Sequence, residues 1–280
     1  MKLSAAYVLL AVASSVLAAP LRSMSKRSGP GKRGLSWPFY NGPLDPGRFN
    51  DGSGSVNLIY DYETFSPPST NGDGGLNFIG MQRCLDCDSS PIGQLAQRQQ
   101  ELGFSTVFTL NEPDINGISP QTAAAWYKQN INPLTIKKAV PAITSSTQPG
   151  QGLDWLHQFM DACAGQCFFD YINLHHYGPS AQAFIDFVNT AHAQFPDTRI
   201  VVTEFALQAP ASREQQVAFF KETFPFLDGA DFVEMYFPFV GTSAALFSQN
   251  DPNGAAFVGT GSTLFEDDGS VSAVGALMLQ

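Results

Sequence analysis

Basic residues are scarce in this sequence. Lys and Arg number 15 against 25 Asp and Glu, so the 280-residue chain carries a formal net charge of −10. Nucleic acids and anionic membranes are bound by Lys/Arg-rich surfaces that displace counterions, and this balance argues against both as partners. Charge of either sign is low, at 14% of residues, while 44% are hydrophobic, which is enough apolar content for a sizeable core. There is no Asn-x-Ser/Thr acceptor for N-glycosylation and no His-Glu-x-x-His. Only four His occur, and His175 and His176, as strand neighbours, point to opposite sides. No metal site is therefore expected. No glycine-rich nucleotide loop follows the first β-rich run, so no cofactor is expected either.

Long apolar runs are also missing. The longest, Leu3 to Val16, falls short of the ~20 residues a spanning helix needs. With Lys2 before it and Val16-Leu17-Ala18-Ala19 after it, the stretch reads as a secretory signal rather than an anchor, cut after Ala18 or Ala19. Residues 20–32 form a basic Gly/Ser/Pro-rich lead with dibasic pairs at Lys26-Arg27 and Lys32-Arg33, either processing sites or solvated linker. One domain is expected over 33–280, secreted to the extracellular space or cell wall as a monomer. Cysteine is sparse too: Cys84-x-x-Cys87 and Cys163-x-x-x-Cys167 are all there is. The spacings leave a zinc site or a redox motif open, but an oxidising compartment favours disulfides. Of the three connectivities four cysteines allow, the two local loops are preferred.

What is present is a regular succession of short β-rich runs. They cover Gly34 to Trp37, Val56 to Tyr62, Asn77 to Gln82, Thr106 to Leu110, Lys138 to Ile143, Asp170 to His175, Arg199 to Phe205 and Phe232 to Phe237. Most are near-continuous apolar runs, as parallel strands buried on both faces should be. Helical patterns lie between them: Ile92 to Leu102, Pro120 to Asn130, Leu153 to Ala164, Ala181 to Gln194 and Ser212 to Phe224, with Ser270 to Leu279 as a closing helix. The expected fold is a single (β/α)8 TIM barrel of the α/β class. A doubly wound open sheet is the competitor, weakened by the missing nucleotide loop.

In such a barrel the active site lies at the C-terminal ends of the strands. The fourth run ends in Asn111-Glu112-Pro113-Asp114, the sixth in His175-His176-Tyr177-Gly178 and the seventh in Thr203-Glu204-Phe205. A lone Glu at a strand end is usually salt-bridged structure. Two converging on one mouth are what glycosidic hydrolysis needs, one carboxyl to protonate the leaving oxygen and one to attack or to activate water.

Asn111-Glu112-Pro113 and Thr203-Glu204-Phe205 resemble the acid/base and nucleophile positions of clan A glycoside hydrolases. Adding Lys32-Arg33-Gly34-Leu35-Ser36-Trp37, Trp155-Leu156-x-x-Phe159, the Cys163/Cys167 pair before Asp170-Tyr171-Ile172, and His175-x-Tyr177-Gly178, the ordered set resembles glycoside hydrolase family 128, fungal β-1,3-glucanases. The resemblance implies hydrolysis of β-1,3-glucan, with Glu112 as the acid/base holding a proton and Glu204 as the nucleophile of a retaining mechanism. It implies that Asn111 binds the sugar 2-OH, and that Tyr177 and His175 orient Glu204 or hold the −1 sugar. Trp37, Tyr60 and Tyr236, at strand ends, are the expected aromatic platforms, since rings stack on pyranose faces and line concave sites. Three positions depart from the family pattern: Tyr60-Asp61-Tyr62-Glu63 stands for Tyr-Asn-Trp, His176 for Trp, and Phe237-Pro238-Phe239 for a Trp-bearing strand end. These departures imply a shorter or differently specific groove, with exo rather than endo action, and make Glu63 either a third carboxylate at the mouth or, the favoured reading, a solvated loop residue. A glucan-binding protein without turnover is the alternative function.

Overall fold

The computed structural model describes residues 31–280; the expected signal and the lead through Pro30 lie outside them. Nine parallel strands form a nearly closed barrel in the order β3-β2-β1-β9-β8-β7-β6-β5-β4. They are β1 (Arg33–Ser36), β2 (Val56–Tyr60), β3 (Asn77–Phe78), β4 (Gly80–Gln82), β5 (Thr106–Asn111), β6 (Lys137–Ala142), β7 (Tyr171–Gly178), β8 (Arg199–Leu207) and β9 (Val233–Tyr236). The third expected run is divided: Ile79 alone separates β3, which pairs with β2, from β4, which pairs with β5. One stretch of chain thus stands at both ends of the strand order.

Helices α1 (Leu95–Leu102), α2 (Pro120–Trp126), α3 (Gly152–Cys163), α4 (Ala181–Gln194), α5 (Arg213–Gly229), α6 (Ala244–Asn250), α7 (Pro252–Val258) and α8 (Gly275–Met278) cover the outside. Their starts are written locally. Ser119 accepts from the Thr122 amide with Pro120 at the first helical position, and Ser212 with Gln215 forms a reciprocal capping box. The closing helix is confined to Gly275–Met278. The run α6–α7, not expected from the sequence, follows β9. Both local disulfides are formed, with Cα–Cα separations of 6.0 Å for Cys84–Cys87 and 5.4 Å for Cys163–Cys167.

Strand periodicity divides the core in two. Leu58, Tyr60, Phe108, Val201, Met235 and Phe237 pack with one another in a cluster that fills the barrel. Their neighbours Ile59, Val107, Val202 and Tyr236 pack in the larger cluster, which includes the helices. Successive strand side chains alternate in this way because the pleat sends them to opposite faces.

At the other end of the molecule, Lys32 Nζ donates to the carbonyls of Leu227, Asp228 and Ala230 at the end of α5. A cation there complements the helix dipole. Arg33 donates to the carbonyls of Leu277, Met278 and Gln280 and pairs with Asp228 at 2.7 Å. The dibasic pair Lys32-Arg33 is therefore buried structure, not an accessible linker.

Candidate active site

Glu112 directly follows β5, and its backbone adopts a left-handed φ of 47°. Such a conformation costs a non-glycine residue on the order of 1–3 kcal/mol and persists only when its surroundings fix it. Here the Glu112 amide donates to the Ala142 carbonyl at 2.9 Å, and the Asn116 amide donates back to the Glu112 carbonyl at 3.1 Å. Asp114 ties the same turn to the end of β6, accepting from Thr144 Oγ1 at 2.6 Å and from the Gly152 amide at 2.9 Å. The Glu112 carboxyl is thereby aimed at the axis of the mouth, with 17% of its side chain exposed.

Glu204 lies on β8 opposite His175 of β7. One carboxylate oxygen each from Glu112 and Glu204 and a ring nitrogen of His175 all fall within 4.8 Å of one another. His175 Nδ1 stands 3.0 Å from Glu112 Oε1 and 3.5 Å from Glu204 Oε2. The Tyr177 hydroxyl donates to Glu204 Oε2. Burial pushes the Glu204 carboxyl above its ordinary pKa; His175 draws it down, Glu112 pushes it up, and Tyr177 and Tyr62 draw it down. Burial alone would neutralise His175, but the Glu204 and Glu112 charges raise it above the ordinary imidazole value.

The pair opens into a cleft of about 1220 Å³. Asn111, Glu112, His175, Tyr177 and Glu204 all line it. Asn111 Oδ1 is buried and has no hydrogen-bond partner among the described residues.

The other three expected residues do not line the cleft; all three are fully buried. Trp37 is fully buried against Phe265 and donates its indole N–H to the Pro68 carbonyl at 2.9 Å. Tyr60 fills the barrel between Phe108 and Phe237, its hydroxyl donating to the Thr203 carbonyl at 2.8 Å. Tyr236 faces α5, accepting from Arg33 Nε at 2.7 Å and donating to Asp228 Oδ1 at 2.8 Å.

Other aromatics take the cleft. Phe39, Tyr40, Tyr62, Phe239 and Phe257 line it, and Phe39 and Phe257 are exposed. Phe239 and Phe257 also pack edge-on to Tyr177 at 5.5 and 5.4 Å. Phe39, Tyr40 and Phe239 each follow an expected strand end by two or three residues and Tyr62 closes the second expected run, a signal the sequence does carry. Phe257 comes from the unexpected α7.

Glu63 is not solvated. It is buried, pairs with Arg83 at 2.9 Å, and accepts from Ser89 and Ser90. That neutralised carboxylate anchors the Cys84–Cys87 loop to the rim. His176 points toward α4, its ring against Phe184 and Phe187, and burial lowers its pKa to about 4.

A family profile described as glycosyl hydrolase catalytic core matches residues 34–277. Alkali-sensitive linkage protein 1 of Schizosaccharomyces pombe is 29% identical over 260 residues, which are 89% of this chain and 44% of that protein. The chain thus spans less than half the length of that relative. Among solved structures, the endo-β-1,3-glucanase of Lentinula edodes, from subgroup IV of glycoside hydrolase family 128, is 58% identical. It superposes with a TM-score of 0.86 over 89% of this chain and 99% of that one. A curdlan-specific exo-β-1,3-glucanase of Blastomyces gilchristii, subgroup III of the family, in complex with glucose, is 26% identical with a TM-score of 0.68, covering 90% and 100%. With the catalytic-core match running through nearly all of the barrel and so similar a relative covered end to end, this chain belongs to glycoside hydrolase family 128.

Proposed function

We propose that this hydrolase cleaves β-1,3-glucan by retaining double displacement, with Glu204 as nucleophile and Glu112 as acid/base. The observation that carries the reading is that one oxygen of Glu112 and one of Glu204 lie within 4.8 Å of each other in the cleft. Retaining enzymes hold their carboxyl groups ~5–5.5 Å apart, whereas inverting ones leave several ångströms more for a water.

The division of roles follows from the surroundings. Glu204 accepts the Tyr177 hydroxyl and is the more buried of the two, so its charge is fixed in place and aimed. Glu112 is the more exposed and lies where a leaving oxygen and then a water can reach it. Glu204 attacks the anomeric carbon as the Glu112 proton passes to the departing glycosyl oxygen. Glu112 then takes a proton from water, and that water releases the sugar from Glu204. Asn111, which lines the cleft next to Glu112, binds the sugar 2-OH, and Phe39, Tyr40 and Phe257 offer ring faces to further glucosyl units.

The cleft exceeds the ~300–1,000 Å³ of an ordinary small-ligand pocket, which favours several sugars bound at once and internal cleavage. The similarity to the Lentinula edodes endo-acting enzyme supports the same reading. Two disulfides support an extracellular site of action, with the chain working as a monomer. Counting Asn77–Gln82 as one strand makes the frame a (β/α)8 barrel. Digestion of laminarin with early product analysis tests the assignment. An oligosaccharide ladder of β-anomers is expected; glucose alone overturns internal cleavage, α-anomers overturn retention, and no product overturns hydrolysis.

A further inference from the structure

Behind the carboxylates runs a buried polar chain that the double displacement does not require. His175 Nε2 lies 2.8 Å from Thr203 Oγ1, and the Thr203 hydroxyl donates to Asn173 Oδ1 at 2.7 Å. Asn173, Thr203 and His175 are all fully or almost fully buried. Thr203 has a single hydroxyl proton. Once that proton is committed to Asn173, the Thr203 oxygen can only accept from the imidazole, so Nε2 carries hydrogen. In the neutral ring Nδ1 is then a bare lone pair, and it faces Glu112 Oε1 at 3.0 Å. A lone pair facing a carboxylate would be repulsive. One proton must lie between them.

We propose that Asn173 and Thr203 are positioning residues that hold His175 as the Nε2–H form, so that Nδ1 and Glu112 share the proton used in acid catalysis. The inference rests on Glu112 being the acid/base. Neutral His175 with protonated Glu112, and cationic His175 with ionised Glu112, hold the same number of protons and differ by one transfer across the 3.0 Å contact. In the first displacement the proton leaves Glu112 Oε1 for the glycosidic oxygen, and both groups stay without it. In the second, Glu112 removes a proton from water and the shared state is restored. Atoms and charge balance with no other reactant.

The groups acting on His175 all favour its retaining a proton: Glu204 on β8, Glu112 after β5, and Asp114 in the same turn. Tyr177, beside the ring on β7, directs its hydroxyl to Glu204 and leaves Nδ1 to Glu112.

Thr203→Val keeps the shape and removes the acceptor. The ring then places its hydrogen on Nδ1, where it donates to ionised Glu112, and the shared proton is lost at lower pH. The alkaline limb of kcat/KM on laminari-oligosaccharides should move down by about one pH unit, the worth of one buried hydrogen bond. Thr203→Ser, which restores the hydroxyl, should return the limb to its wild-type place. An aryl glucoside whose leaving group needs no protonation should lose less than about threefold in Thr203→Val, because acid help is not needed there. Asn173→Leu frees the Thr203 proton to point at Nε2 and should reproduce the downward shift. Nitrogen-15 NMR of the wild-type imidazole gives a check independent of folding in the variants: Nε2 should stay protonated across the activity profile. An unmoved alkaline limb in folded Thr203→Val, a Ser variant that behaves like Val, or a bare Nε2 in the wild type overturns the proposal. Glu112→Ala separates the two layers. If it keeps full activity on oligosaccharides, the reading beneath has failed; if it is crippled while Thr203→Val is unshifted, only the proton sharing has.

Discussion

Replacing Trp37 and Phe39, two residues apart, should produce opposite phenotypes. The Trp37 ring is fully enclosed, edge-on to Phe265 at 5.7 Å, and its N–H is bound to Pro68. Trp37→Ala removes that packing, leaves a cavity and strands the Pro68 carbonyl. Buried Trp-to-Ala changes cost ~3–5 kcal/mol. For a domain of this size each kcal/mol moves Tm by about 2–4 °C, so a drop on the order of 10 °C is expected. Phe39 is 69% exposed at the cleft rim, where truncation should change stability by less than about 0.5 kcal/mol. Losing a ring face worth ~0.5–1.5 kcal/mol should instead weaken oligosaccharide binding about two- to tenfold. Differential scanning calorimetry and isothermal titration of laminarihexaose against both variants measure the contrast. A Trp37→Ala protein with unchanged Tm and weakened binding would refute the placement of Trp37 in the core.

Other consequences follow from buried charge and short loops. Burial raises the Glu204 pKa, so ionising it costs the folded state; that stability is lost as pH rises from the unfolded value toward the raised folded one. Glu204→Gln should accordingly melt higher than wild type near neutral pH, by a few degrees for about 1 kcal/mol, and lose the advantage below the unfolded pKa, as thermal scans at two pH values would show. Arg83→Met leaves the buried Glu63 carboxylate without its ion pair and should cost ~1–3 kcal/mol in chemical denaturation, with Glu63→Gln in the same chain recovering part of it. Cys163→Ser with Cys167→Ser opens a loop closed over a separation of 4 residues and should cost about 2 kcal/mol by loop-closure entropy, read from the same denaturation curves.

The sequence disclosed where the chemistry lies better than which side chains surround it. Apolar runs ending in Asn111-Glu112 and Thr203-Glu204 locate two carboxyls at one mouth, because parallel strands deliver their C-terminal ends to one face. Whether an aromatic at a strand end points into the barrel, toward the helices or into the cleft depends on single-residue register, which a bulge alters. β7 and β8 shift register between Leu174 and His175, and β1 and β2 between Arg33 and Gly34. Trp37, Tyr60 and Tyr236 fall under that ambiguity, and the aromatics that line the cleft come from the loops beyond the strands and from α7. Glu63 reads as polar loop because its partner Arg83 is 20 residues away. The α6–α7 pair has short turns and little apolar period, and the division at Ile79 reflects two different pairing partners that no local pattern announces.

If Glu204 attacks and Glu112 exchanges the proton, azide distinguishes the two on an activated aryl β-glucoside. With Glu204→Ala, azide can occupy the vacated space and attack the sugar directly, giving the α-glycosyl azide. With Glu112→Ala, the glycosyl-enzyme still forms on Glu204 and azide releases it as the β-glycosyl azide. Proton NMR of the two products should therefore show opposite anomers. The same anomer from both variants, or wild-type rates in either without azide, would contradict the assignment.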